Sequence, residues 1–137
     1  MNNLSFHITD IMANSIRAKA SEIGLFIEER DLRITIRIAD NGLGMDAGTI
    51  ARVTNPFYTT RTTRKVGLGI PFLIQNAEQT GGAVSITSQP GKGTVVTASF
   101  CSNHIDCPPW GDLPGTVAML ITGNPDINIC FEYQAVK

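Results

Sequence analysis

The residues able to do chemistry fall into short stretches in a fixed order. DIMANSIRA (10–18) carries a carboxylate, an amide and a guanidinium at Asp10, Asn14 and Arg17. DNGLGM (40–45) sets Asp40 before Gly42 and Gly44 and closes on Met45. NPFYTTR (55–61) ends on Arg61, and KVGLGI (65–70) holds Lys65, Gly67, Leu68 and Gly69; GKGT at 91–94 adds Thr94. A phosphorylated nucleotide asks for a donor–acceptor match at its base, an oxygen for a hard cation and backbone amides for its phosphates. A carboxylate at a strand end, Asp40, can accept from an exocyclic amine. Glycines leading into a helix, Gly67 and Gly69, form an anion site in general, although a lone G-x-G is weak. An Asp-Asn-Gly turn would by itself account for residues 40–42.

These residues need elements to position them. Ile8, Ile11, Met12, Ser15 and Ile16 follow helical spacing over 7–19, which stacks Asp10, Asn14 and Arg17 on a second face of the same helix. Ile23, Leu25 and Ile27 alternate with polar or small residues, and Leu32, Ile34, Ile36 and Ile38 repeat the alternation after Arg30-Asp31. One packed and one wet face predicts a sheet with helices on a single side, a two-layer α+β sandwich. A short helix over 46–53 starts from Asp46 as N-cap. Residues 55–66 show no apolar period and read as a mobile loop. A helix over 70–79 tolerates Pro71 in its first turn and ends at Gly81-Gly82. Strands at 83–88 and 94–100 form a hairpin around QPGKG. Beyond Phe100 the register changes: Asp112 caps a helix over 113–122, and Ile127, Ile129, Phe131 and Tyr133 alternate as a last strand.

The 137 residues suffice for one domain with its own core, and a net charge of −1 with mixed signs argues against a nucleic-acid binder. Neither a signal peptide nor a membrane helix is read from the chain, so a cytoplasmic location is expected. Cys101, Cys107 and Cys130 lack zinc-knuckle spacing and read as reduced thiols. A metal site using His104 between Cys101 and Cys107 is the weaker alternative.

As an ordered set the motifs resemble the GHKL (Bergerat) ATP-binding fold shared by histidine kinases, MutL mismatch-repair proteins, DNA gyrase and heat-shock chaperone ATPases. The resemblance spans about residues 5–100. It implies a mixed, mostly antiparallel sheet, with 1–100 as the ATP-binding domain and 101–137 as a helix–strand extension. It also implies Asp40 as adenine anchor supported by Thr94, Asn14 as the Mg²⁺-binding asparagine and Arg17 facing the phosphates. The nucleotide set becomes Asn14, Arg17, Asp40, Gly42, Gly44, Met45, Arg61, Lys65, Gly67, Leu68, Gly69 and Thr94. Gly42 and Gly44 would permit positive φ and close approach of the base. Phe57 and Tyr58 match lid-packing residues. Arg61 and Lys65 would reach the γ-phosphate, or lie on a solvated basic loop.

Asp10 matches the glutamate that activates water in hydrolysing members, one methylene shorter, and is the candidate general base. No acceptor-histidine segment is read ahead of the ATP domain, so a complete autophosphorylating kinase is not expected. The extension at 101–137 is expected to finish the core, and Trp110 is either a partner anchor or a buried plug. The resulting expectation is a Mg-ATP-binding domain that regulates or phosphorylates a protein partner, as anti-sigma-type kinases do. The alternatives are a MutL-type conformational ATPase and a non-catalytic ATP/ADP sensor. A homodimer is compatible with each.

Overall fold

A computed structural model describes residues 3–55 and 69–136. The loop expected over 55–66 falls outside these residues from 56 onward. So do Phe57, Tyr58, Arg61, Lys65, Gly67 and Leu68.

Helix α1 (Leu4–Arg17) begins three residues earlier than its apolar period suggests, because Asn3 caps it by accepting from the Phe6 amide at 2.7 Å. Strands β1 (Glu22–Arg30) and β2 (Arg33–Asp40) form a hairpin. Its register pairs Arg30 with Arg33, which leaves Asp31 and Leu32 as a two-residue turn with φ of 54° and 62°. Leu32 is therefore a turn residue, 64 % exposed, and not the first inward residue of β2 as the alternation suggested. Both central residues of such a turn need positive φ, which matches the right-handed twist of the strands.

Helix α2 (Ala47–Val53) starts from Asp46, whose carboxylate accepts from the Thr49 amide. Helix α3 (Gly69–Gln79) is followed by the β3 (Ala83–Gln89) and β4 (Gly93–Cys101) hairpin, then by α4 (Leu113–Gly123) and β5 (Asn128–Val136). Asp112 caps α4 by accepting from the Gly115 amide.

The sheet order is β3-β4-β2-β1-β5, antiparallel throughout except for the parallel β1–β5 pair. One face carries Ile23, Leu25, Ile27, Ile34, Ile36, Ile38, Val96, Ala98 and Phe100, all buried beneath the helices. The other face is open, and there the Arg37 guanidinium lies 5.0 Å from the centre of the Phe26 ring. The fold is thus the expected α+β two-layer arrangement with an open mixed sheet. Trp110 packs against the core edge, its ring set edge-on to Tyr133 at 6.3 Å, and its carbonyl accepts from the Ser5 hydroxyl at 2.6 Å. It is partly buried there. Toward β5 the helical cover thins, so Phe131 and Tyr133 remain partly exposed.

One consequence of register positions the site. The inward alternation of β2 continues one step past Ile38, so Asp40 lies on the helix-covered face. Cross-strand pairing then sets Ile23, Asp40, Thr94 and Ser88 in one row across four strands.

Candidate functional site

A cavity of about 250 Å³ opens between the second half of α1 and the ends of β2 and β4. Asn14, Arg17, Asp40, Gly44, Met45 and Thr94 line it, six of the residues singled out from the sequence. Its apolar wall includes Ile11, Ile38, Ile70 and Val96, a surface suited to a flat ring.

Asp40 is held from two sides. The Ser15 hydroxyl donates to Oδ2 at 2.6 Å, and the Gly42 amide donates to Oδ1 at 2.8 Å. Both are bonds to a charged acceptor, the stronger kind, and together they fix the carboxylate plane. Lone pairs remain on both oxygens.

The glycines of DNGLGM serve packing more than the sequence suggested. Only Gly44 takes positive φ, at 73°; Gly42 does not. A Cβ on Gly42 would fall 2.6 Å from the Ala18 carbonyl, at the end of α1, where Leu43 donates its amide at 2.8 Å. A Cβ on Gly44 would fall 2.0 Å from the Gln89 carbonyl. The bend is therefore pinned between α1 and the β3–β4 hairpin. Asn41 holds it from outside, its Oδ1 accepting from the Ser21 and Glu22 amides at 2.9 and 3.0 Å.

On α1, the Asn14 amide oxygen lines up with Arg17 one turn on and accepts from its guanidinium. Asp10 is half-buried and does not line the cavity. It packs instead against the start of α3, where a Cβ on Gly69 would lie 2.8 Å from the Asp10 Cβ and 3.1 Å from Oδ2. Burial raises the Asp10 carboxyl above its ordinary pKa, and the Arg17 charge opposes that rise.

Among the described residues, no group of three or more His, Cys, Asp or Glu side chains is gathered to hold a metal. The alternative metal reading of Cys101, His104 and Cys107 fails on this point. The His104 ring instead accepts from the Asp106 amide at 3.0 Å within its own loop.

Two residues absent from the sequence-derived set belong to the site. Ser15 looked like a small member of the buried stripe of α1; a hydroxyl inside an otherwise apolar stripe was the available signal. Ser88 gave none. Its Oγ accepts from the Met45 amide at 2.7 Å and donates to the Gly93 carbonyl at 3.0 Å. It also shares a 2.8 Å hydrogen bond with Thr94 Oγ1.

This geometry stands beside a clear family relationship. Residues 3–103 match the family described as histidine kinase-, DNA gyrase B- and HSP90-like ATPase, and the chain belongs to that family. It is 35% identical over 93 residues to the sensor protein kinase FleS of Pseudomonas aeruginosa, covering 66% of this chain and 23% of the relative. With the sensor histidine kinase YxdK of Bacillus subtilis it shares 29% over 106 residues, 71% of this chain and 32% of the relative. With the sensor histidine kinase YvrG of the same organism it shares 28% over 99 residues, 68% and 17% respectively. The chain thus spans a third or less of the length of these relatives. It is an ATP-binding domain of the histidine kinase-like ATPase class. Among the described residues, no helix is long and apolar enough to cross a membrane.

Proposed function

We propose that the chain binds Mg-ATP in the cavity beside Asp40 and uses it to phosphorylate or regulate a protein partner. The observation that carries this reading is the Asp40 carboxylate itself. Ser15 and Gly42 orient it, Thr94 flanks it, and it faces a cavity with apolar walls. Such a carboxylate accepts from the adenine amine, while Ile38, Ile70 and Val96 offer surface to the ring. Met45 and Gly44 close the base end of the site.

Asn14 is the residue that would hold Mg²⁺. Its neutral amide oxygen belongs to a residue that borders the cavity and accepts from a cationic group, the Arg17 guanidinium. Mg²⁺ accepts such an oxygen when phosphates and water complete its shell. When bound, the ion would neutralise phosphate charge. Arg17 would then turn to the phosphates, with Arg61 and Lys65 as further cations and the Gly67–Gly69 backbone as the phosphate cradle. Phosphoryl transfer asks mainly for this positioning and charge stabilisation.

Asp10 supports a chemical role over passive sensing. Its raised pKa makes it the better proton acceptor, and it sits at the start of α3, where phosphates would lie. The acceptor is either a hydroxyl on a partner, as in anti-sigma-type kinases, or water, as in MutL-type ATPases. We place the ATP module at residues 1–100 and the extension at 101–137, and infer a cytoplasmic signalling role in line with the sensor-kinase relatives.

The test follows γ-labelled ATP with wild type and Asp10→Asn, reading free phosphate and labelled protein together. Asp10→Asn should keep ADP affinity and lose on the order of 10²–10⁴ in turnover. An unchanged rate would make Asp10 a structural helix residue. Tight binding with neither phosphate release nor labelling would mean a sensor, or a kinase that needs its partner present.

A further inference from the structure

We propose that Ser88 sets the adenine specificity of the site by dictating which way the Thr94 hydroxyl points its proton. This rests on the reading of the cavity beside Asp40 as the base pocket.

Ser88 Oγ has one proton and two lone pairs to distribute among three neighbours. The Met45 amide is a donor only, so at 2.7 Å it takes one lone pair. The Gly93 carbonyl is an acceptor only, so at 3.0 Å it takes the proton. Thr94 Oγ1, at 2.8 Å, is the third neighbour, and all three bonds coexist only when Thr94 donates. The Thr94 proton is then committed to Ser88, which does not line the cavity, and Thr94, which does, has only lone pairs left to offer there. Asp40, its cross-strand partner, already receives protons from Ser15 and Gly42 and likewise offers only lone pairs. Two neighbouring acceptors with no donor between them fit a group that brings its own hydrogens, such as a 6-amino purine. A 6-oxo purine keeps one N–H on this edge, at ring nitrogen 1, but sets its 6-oxygen as a third acceptor against them. A site built to receive an N–H at one position disfavours the analogue that carries an oxygen there, because the polar groups facing that position stay unpaired.

Removing the Ser88 hydroxyl frees the Thr94 proton to rotate into the cavity, where it can donate to a 6-oxo group. The specific readout is a ratio, since lost support for Met45 would weaken every purine nucleotide alike. Affinities for ADP and IDP, which differ at the 6-position and the adjacent ring nitrogen, are measured by titration calorimetry for wild type and three variants. Wild type should prefer ADP, and Ser88→Ala should shrink that preference by about tenfold, the worth of one hydrogen bond. Ser88→Cys, close in size but a poor hydrogen-bonding group, should move the ratio the same way and serves should the alanine variant not fold. Ser88→Thr, which keeps the hydroxyl, should leave it near wild type. A wild-type ADP preference that survives in both Ser88→Ala and Ser88→Cys would overturn the role of Ser88 while leaving the base pocket standing. Wild type binding ADP and IDP equally, or neither, would overturn the pocket reading and this inference with it.

Discussion

Helix α1 buries three polar side chains, Ser5, His7 and Ser15, and the last two are treated differently. In the second half, Ser15 is 3 % exposed and gives its hydroxyl proton to Asp40 at 2.6 Å. In the first half, His7 is 1 % exposed among Phe6, Phe72 and Phe100, and its Nε2 meets Asn76 Nδ2 at 2.7 Å. His7 Nδ1 has no hydrogen-bond partner among the described residues. Burial pushes its pKa down to about 4. One polar group is satisfied at the edge of a cavity and orients a carboxylate. The other is half-satisfied in the core, where it links α1 to α3. A polar residue in an apolar stripe is thus no guide to function until its partner is known. Unsatisfied burial costs stability, whereas satisfied burial specifies geometry.

The contrast breaks most visibly under acid. The unfolded His7 takes up its proton near pH 6.5 and the folded one only near 4. Its contribution to stability is therefore complete above pH 6.5 and is lost as pH falls toward 4. The loss amounts to roughly 3 kcal/mol by pH 4. Chemical denaturation of His7→Leu across this range should show that part of the slope gone. An unchanged slope would assign the acid sensitivity to carboxylates alone.

Asp40→Asn comes next. Exchanging a charged acceptor for a neutral one should weaken ATP and ADP alike by about thirtyfold, the worth of a hydrogen bond to charge. Its effect on stability should be small. Unchanged ADP affinity would remove Asp40 from the base pocket and, with it, the functional half of the comparison. The smallest effect is expected for Ser15→Ala. Alanine suits the helix and leaves Asp40 with one orienting bond, so ADP affinity should fall about fivefold with the melting temperature nearly kept. A large drop in stability with intact affinity would make Ser15 a core residue like His7.

Much of this molecule follows from local pattern. The alternation of Ile34, Ile36 and Ile38 placed β2 and its buried face, and the same period carried one step further aims Asp40 at the helices. Asp46 and Asp112 marked two helix starts because a cap acts over three residues and is visible in a short window. The ordered motifs point to the ATPase family by themselves. Local pattern was less informative where a partner lies far along the chain. Leu32 looked like a strand residue, but the pairing of Arg30 with Arg33 made it a turn. Gly42 looked like a residue needing positive φ, but it is required because the Ala18 carbonyl, on another element, comes too close for a side chain.

What the sequence determined by itself, then, is the set of elements, the one-sided sheet and the class of site, since these depend on periodicity and on motifs of a few residues. Only the tertiary structure decided that Ser15 and Ser88 belong to the site while His7 does not. Their hydrogen bonds reach across 25, 6 and 69 residues of chain respectively. Such bonds have length and direction tolerances of tenths of an ångström and tens of degrees. Sheet register and helix docking set those values, and no local window of sequence contains them.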